Sequence, residues 1–167
     1  MTLSFSTHWP DKMPKEIATT PNGFVEKIWR SMPEDIIDKE FDKYLPKLEE
    51  LGYPMANDMI NITPKIHTIR KGNRFKKGDW IHPVIHNRTK RRYQFIPTFA
   101  CAGTQSFKIS YTENKPHVFI DGKLYSDYEY LEMLALKDGF PDLESFFSWF
   151  NEDMDGQIVH WTGFRYW

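Results

Sequence analysis

The chain has 167 residues, of which 40% are hydrophobic and 16% aromatic, with 13 Phe, 8 Tyr and 6 Trp; this suits one domain with a ring-rich core and excludes a disordered chain. A lone Cys101 excludes an internal disulfide and a Cys-x-x-Cys zinc knuckle, and no stretch reaches the roughly 18 apolar residues of a membrane span. Net charge is −1, yet residues 65–92 hold ten Lys or Arg against Asp79, while residues 121–155 hold ten acids against Lys123 and Lys137. The two segments either give the molecule one positive face or neutralise each other across the fold.

The polar start "MTLSFSTHWPDKMPKE" lacks the apolar centre of a secretory signal, so a reducing, cytoplasmic setting is expected. "TLSFS" alternates Leu3 and Phe5 with small polar residues, a short strand pattern, and Pro10, Pro14 and Pro21 then punctuate a loop. Asn22 is placed to cap a helix over "GFVEKIWRSM", with Phe24, Val25 and Ile28 on its apolar face. In "PEDIIDKEFDKYLPKLEELG", Ile37, Phe41, Tyr44 and Leu48 form one stripe; Pro46 predicts a helix over about 34–44, followed by a kinked or separate turn ending at Gly52. Residues 54–64 read as a connector.

The texture then turns to strands. "DWIHPVIH", "RYQFIPT", "GTQSFKISYT", "HVFIDG" and "GQIVHWTGF" are short, aromatic or β-branched, and bounded by turn residues. Phe107, Ile109 and Tyr111 share one parity, and Pro83 and Pro97 predict edge or bulged strands. Between the fourth and fifth strands, "SDYEYLEMLALKDGF" has the pattern of a capping box at Ser126 and Glu129, a face of Tyr128, Leu131, Leu134 and Ala135, and a closing Gly139. Pro141 or Asp142 opens a further helix whose Phe146, Phe147, Trp149 and Phe150 read as core. The expectation is a single α+β domain over 1–167, its five or six antiparallel strands closing into a small barrel that removes the sheet edges.

The residues that carry chemistry cluster at the start of the basic segment. "KIHTIR" places Lys65, Thr68 and Arg70 ahead of a turn at Lys77, Gly78 and Asp79, and "LALKDGFPDLESFFSWF" places Asp138, Gly139 and Phe140 before a helix. With "LSFSTHWP", "FVEKIW" and "IVHWTGFRY", this ordered set resembles the ASCH group of PUA-like β-barrels, including members encoded by phages and gut bacteria. The resemblance spans roughly 1–30 and 61–167 and leaves 31–60 as a helical insertion. It implies a barrel with flanking helices and a cleft for RNA or a modified nucleoside or nucleotide. It also implies amide hydrolysis of the N4-acylcytidine type, with Lys65, Thr68 and Asp138 in the catalytic positions; Asp138 is one methylene shorter than the Glu of that group's amidohydrolase.

Chemistry alone sets conditions on such a site. A threonine hydroxyl needs a base within reach, and a lysine is that base only when its pKa falls well below ~10.4, through burial or through nearby Arg70 and Lys71. A carboxylate beside it could orient the lysine or pass a proton to the leaving amine, while pulling the lysine pKa back up. Apart from catalysis, Arg70, Lys71, Arg74, Lys76, Lys77, Arg88, Lys90, Arg91 and Arg92 are candidates to meet phosphate, with Trp80, Phe75 or Tyr93 to stack bases; the same runs read equally as solvated charge. His82 and His86 sit on a strand pattern without an acid or cysteine partner, so no metal is expected, and no cofactor motif is present. The rival reading is a non-catalytic, phage-encoded interaction protein that engages a host protein through 31–60 or its acidic C-terminal part, with Ile37, Phe41 and Leu48 either packed onto the barrel or forming an exposed patch.

Overall fold

The structure is a computed structural model that describes residues 1–53, 55 and 61–167; the part of the expected 54–64 connector at 54 and 56–60 lies outside the described residues. In chain order the elements are β1 (Thr2–Ser4), α1 (Phe24–Arg30), α2 (Glu34–Glu50), β2 (His67–Lys71), β3 (Trp80–Ile85), β4 (Tyr93–Gln94), β5 (Phe99–Ala100), β6 (Gly103–Thr112), β7 (Lys115–Ile120), β8 (Lys123–Tyr125), α3 (Tyr128–Lys137), α4 (Leu143–Trp149) and β9 (Met154–His160). The class is α+β. The strands do not close into one barrel of five or six; they form two sheets, one in the order β2-β9-β6-β7-β8, the other centred on β3.

Pro83 explains much of the second sheet. On one side β3 pairs in parallel with β1, and on the other it pairs antiparallel first with β5, at Trp80 and Ile81, then with β4, at Val84 and Ile85. The missing N–H of Pro83 falls in the gap between those two ladders, so β3 is an interrupted central strand rather than an edge. Pro97 lies between β4 and β5, outside both. The five-stranded sheet is antiparallel throughout, and its tight hairpins turn on Glu113–Asn114 and Asp121–Gly122, all four with φ between 50° and 78°.

The inner faces meet in one core. Leu3, Phe5, Ile81, Ile85 and Phe95 from the β3 side and Ile69, Phe107, Ile109, Val118 and Ile158 from the other sheet are all buried. Phe146 and Phe150 of the α4 region are buried too, as expected, and Phe147 and Trp149 pack against them. Trp29 of α1, fully buried, donates from Nε1 to the Phe95 carbonyl at 2.9 Å and holds Phe41 and Tyr44 of α2 edge-on at 5.2 and 5.5 Å. The apolar stripe of 31–60 is thus packed on the core, with Leu48 at 0% exposure. Leu48 lies beyond Pro46, and its packing carries α2 on as one helix past a proline that sits on the solvent side, so the helix does not end near residue 44.

Two caps differ from expectation by one residue. Asn22 Oδ1 accepts from the Phe24 amide at 3.0 Å, but Gly23, at φ 68°, is the capping residue of α1. Asp127, not Ser126, caps α3, accepting from the Glu129 and Tyr130 amides, and Tyr128 is left 63% exposed.

The end of α3 matters most for the site. The Gly139 amide bonds the Leu136 carbonyl and the Phe140 amide the Ala135 carbonyl, a Schellman closure with Gly139 left-handed at φ 90°. Buried Phe140 locks the turn, and Asp138 is thereby held inside the protein at 2% exposure. A Cβ on Gly139 would stand 3.1 Å from both Lys65 Cδ and Phe24 Cε1. Gly139→Ala is therefore expected to cost about 1–3 kcal/mol of unfolding free energy in chemical denaturation, whereas Gly163→Ala, with nothing within 4 Å of its Cβ position, should cost little.

Candidate functional site

Lys65 precedes edge strand β2 and is fixed from both sides through its backbone: its amide bonds the Lys27 carbonyl of α1, and the next amide, of Ile66, bonds the Lys137 carbonyl at the end of α3, each at 3.0 Å. The side chain therefore runs between two helices into the interior, at 1% exposure. Its Nζ donates to Asp138 Oδ1 at 2.5 Å and to the Asp138 backbone carbonyl, and lies 4.7 Å from the centre of the Phe24 ring. Burial pushes the Lys65 ammonium down to about 8; the charge and hydrogen bond of Asp138 oppose that shift, while Arg70 and Lys27 add to it.

Lys65, Thr68, Arg70 and Asp138 all line one cavity of about 150 Å³, walled by Phe5, Phe24 and Phe140. Thr68 and Arg70 share a parity on β2, which carries both to the same wall. The Thr68 hydroxyl makes no hydrogen bond among the described residues. Arg70 Nη2 donates to the Ser4 carbonyl at 2.6 Å, its guanidinium lies 5.0 Å from the Phe5 ring centre, and its buried Nε has no partner among the described residues. Burial brings its pKa to about 10, so it remains a cation at neutral pH.

Behind the ion pair lies a layer of His67, Tyr166 and His160, of which sequence reasoning missed the first two. His67 Nδ1 is 3.6 Å from Asp138 Oδ1, beyond hydrogen-bond reach, and His67 Nε2 meets the Tyr166 hydroxyl at 2.8 Å. Burial keeps His67 below the usual imidazole range and raises the Tyr166 phenol, so both are neutral at pH 7. His160, opposite His67 in the β2–β9 ladder, is fully buried with neither ring nitrogen bonded among the described residues, and burial, then His67 and Arg165, push it down to about 3. His67 stands inside "KIHTIR" two residues after Lys65, and that spacing was the available signal; Tyr166, 99 residues away, left none. Lys27 was also missed: its Nζ donates to the Gly139 carbonyl at 2.7 Å, bracing the turn that carries Asp138.

The expected phosphate-facing residues divide. Arg70, Lys71, Arg74 and Arg88 line a second cavity, about 410 Å³, with Arg70 common to both. Lys76 and Lys77 are exposed in a turn closed by Asp79, whose Oδ2 accepts from the Lys76 amide at 2.8 Å. Arg91 donates to the Leu51 carbonyl, and Lys90 and Arg92 are exposed beside it. Of the rings proposed for stacking, Phe75 is buried and Tyr93 packs on Tyr44; Trp80 is 64% exposed but belongs to neither cavity wall. His82 and His86 pair with Thr98 and Tyr53, and no group of three or more potential metal ligands occurs among the described residues. A larger concavity, about 540 Å³ on the five-stranded sheet, is lined by residues that include Ser106, Lys108, Ser110, Asp153 and Asp155 and holds none of the buried, shifted groups that mark a chemical site.

Compared with known proteins, the chain matches no family model, no curated protein and no solved structure.

A base depressed in the folded state costs stability while it stays charged and stops costing once it is neutral. For Lys65 the native lysine sheds its proton near pH 8 and the unfolded one near 10.5. The unfolding free energy of the wild type minus that of Lys65→Met is thus expected to rise between about pH 8 and 10.5, as read by urea denaturation across that range.

Proposed function

We propose that the chain is an ASCH-type, PUA-like protein that binds RNA or a modified nucleoside or nucleotide in the cleft bordered by Lys65, Thr68, Arg70 and Asp138, and that it hydrolyses an N4-acylcytidine-type amide there. One observation carries the reading: a lysine with a pKa near 8, an unbonded threonine hydroxyl and a buried carboxylate share a single small cavity.

In this mechanism neutral Lys65 takes the Thr68 proton as Oγ1 attacks the acyl carbon. The bond from that carbon to N4 then breaks, and N4 leaves as the amino group of cytidine with the proton that Lys65 collected, passed directly or through Asp138. Water adds to the resulting threonine ester, the carboxylic acid departs, and Thr68 regains its hydrogen. Atoms and charge balance without a redox partner or a metal. Asp138 positions Lys65, and the Arg70 guanidinium offers a cation to the oxyanion formed at each addition. The phenylalanine walls exclude bulk water and suit the flat face of a pyrimidine.

Incubating the protein with N4-acetylcytidine should release cytidine and acetate, with kcat/KM rising as pH approaches about 8 and levelling above it, as Lys65 deprotonates. Lys65→Ala and Thr68→Val should each lower the rate by at least about 10²-fold. No product from the wild type, or undiminished turnover in Lys65→Ala, would defeat the hydrolytic assignment.

A further inference from the structure

We infer that Arg70, Lys71, Arg74 and Arg88 form a phosphate subsite, so that the ligand of the hollow is a phosphorylated pyrimidine nucleotide rather than a free nucleoside. The anion part stands on the second cavity alone; the pyrimidine part rests on the function proposed above.

Four cations line that cavity together with Asn87 and the β1 residues Thr2, Leu3 and Ser4, and no carboxylate is among its lining residues. None of the four is in an ion pair among the described residues. Burial is the main reason that the Arg70 pKa is low and Asp138 opposes it; the Arg74 charge adds a smaller lowering, which an anion beside both guanidinium groups would offset. Both arginines have contacts that orient them: Arg70 is held by the Ser4 carbonyl and Phe5, and Arg74, though exposed, reaches the Thr2 carbonyl at 3.3 Å and the Phe75 ring at 5.3 Å. Fixed planar guanidinium groups bind phosphate oxygens with less entropy lost than free lysines would.

Position sets the ligand class. Arg70 belongs to the walls of both cavities, so a ring in the hollow and an anion in the basic cavity are neighbours, as a base and the phosphate of the same nucleotide are. The hollow alone is small for a ligand site, but the pair together falls within the roughly 300–1,000 Å³ that such sites occupy. Lys76, Lys77, Lys90, Arg91 and Arg92 line neither cavity, which confines the phosphate contacts to one place instead of a track along a strand.

Calorimetry at low salt with cytidine, cytidine 5′-monophosphate, inorganic phosphate and a short oligocytidylate tests this. The monophosphate should bind at least about tenfold tighter than cytidine, and Arg74→Gln/Arg88→Gln, both at exposed positions, should erase that advantage while leaving cytidine affinity unchanged. Equal affinity for cytidine and its monophosphate, or an advantage that survives the double substitution, overturns the subsite. If cytidine fails to bind but inorganic phosphate binds the wild type and not the double variant, the subsite stands and the pyrimidine reading falls. Equal affinity for the monophosphate and the oligonucleotide assigns a free nucleotide, and markedly tighter oligonucleotide binding assigns a residue of RNA; either supports a phosphate at this place.

Discussion

The ion pair between Lys65 and Asp138 is the constraint around which the rest of the fold is arranged. Removing an ammonium and a carboxylate from water costs several kcal/mol each, and their attraction returns that only with good geometry and further hydrogen bonds. The protein supplies both. Lys65 is pinned through its own amide and the next to the ends of two helices, and Asp138 is set by a helix closure that only glycine at 139 completes. A well-packed apolar pair of the same volume would hold these elements together at least as well. The retention of charge at 1% and 2% exposure is thus poor evidence for stability; under the function proposed above it is accounted for by the cavity that Lys65 and Asp138 share with the Thr68 hydroxyl.

The opposed charge runs bear on the same point. Strand β2 of the basic segment 65–92 pairs with residues 156–160 of β9, and the acidic segment 121–155 reaches it only at its end, where the Gly72 amide bonds the Asp155 carbonyl; Gly156 makes the approach possible, since a Cβ there would collide with the Arg70 carbonyl. Proximity of backbones does not neutralise the side chains, however. Among the described residues the only Lys or Arg of 65–92 paired with an acid of 121–155 is Lys65, with Asp138. The surface cations stay unpaired and Arg70, Lys71, Arg74 and Arg88 gather on one cavity, so the answer lies with a local positive face rather than with mutual cancellation.

What could be read from the residues was what is local. The parity of Phe107, Ile109 and Tyr111 marks β6, Asp142 marks the start of α4, and the four-ring cluster after it is core. The Asp121–Gly122 pair was a hairpin signal that, followed, would have revealed β8. What escaped depends on distant partners. The continuity of α2 through Pro46 is decided by Leu48 meeting the core, and the split into two sheets is decided by β1 choosing β3 in parallel across about 80 residues. The four residues that share the small cavity, Lys65, Thr68, Arg70 and Asp138, could be singled out because "KIHTIR" and "KDGF" are compact, whereas the His67–Tyr166 contact needs the segment after β9 folded back before it exists.

The two adjoining cavities ask opposite things of charge, and Arg70 is suited to stand between them. Inside the hollow the surroundings are apolar and the dielectric low, so each charge must be paired or weakened, as Lys65 is. The basic cavity borders solvent, where ions screen exposed charges within about 8–10 Å and unpaired cations cost little. A lysine at position 70 would lose its proton more readily on burial; a guanidinium, even pushed down to about 10, keeps its charge and has donors enough to hold Ser4 and still offer others. Salt therefore acts on the two parts of the cleft unequally. Raising it weakens whatever the open cations attract and leaves the buried pair nearly untouched, so in the nucleotide complex proposed above the ring and its charge would be held by separate interactions joined at one side chain.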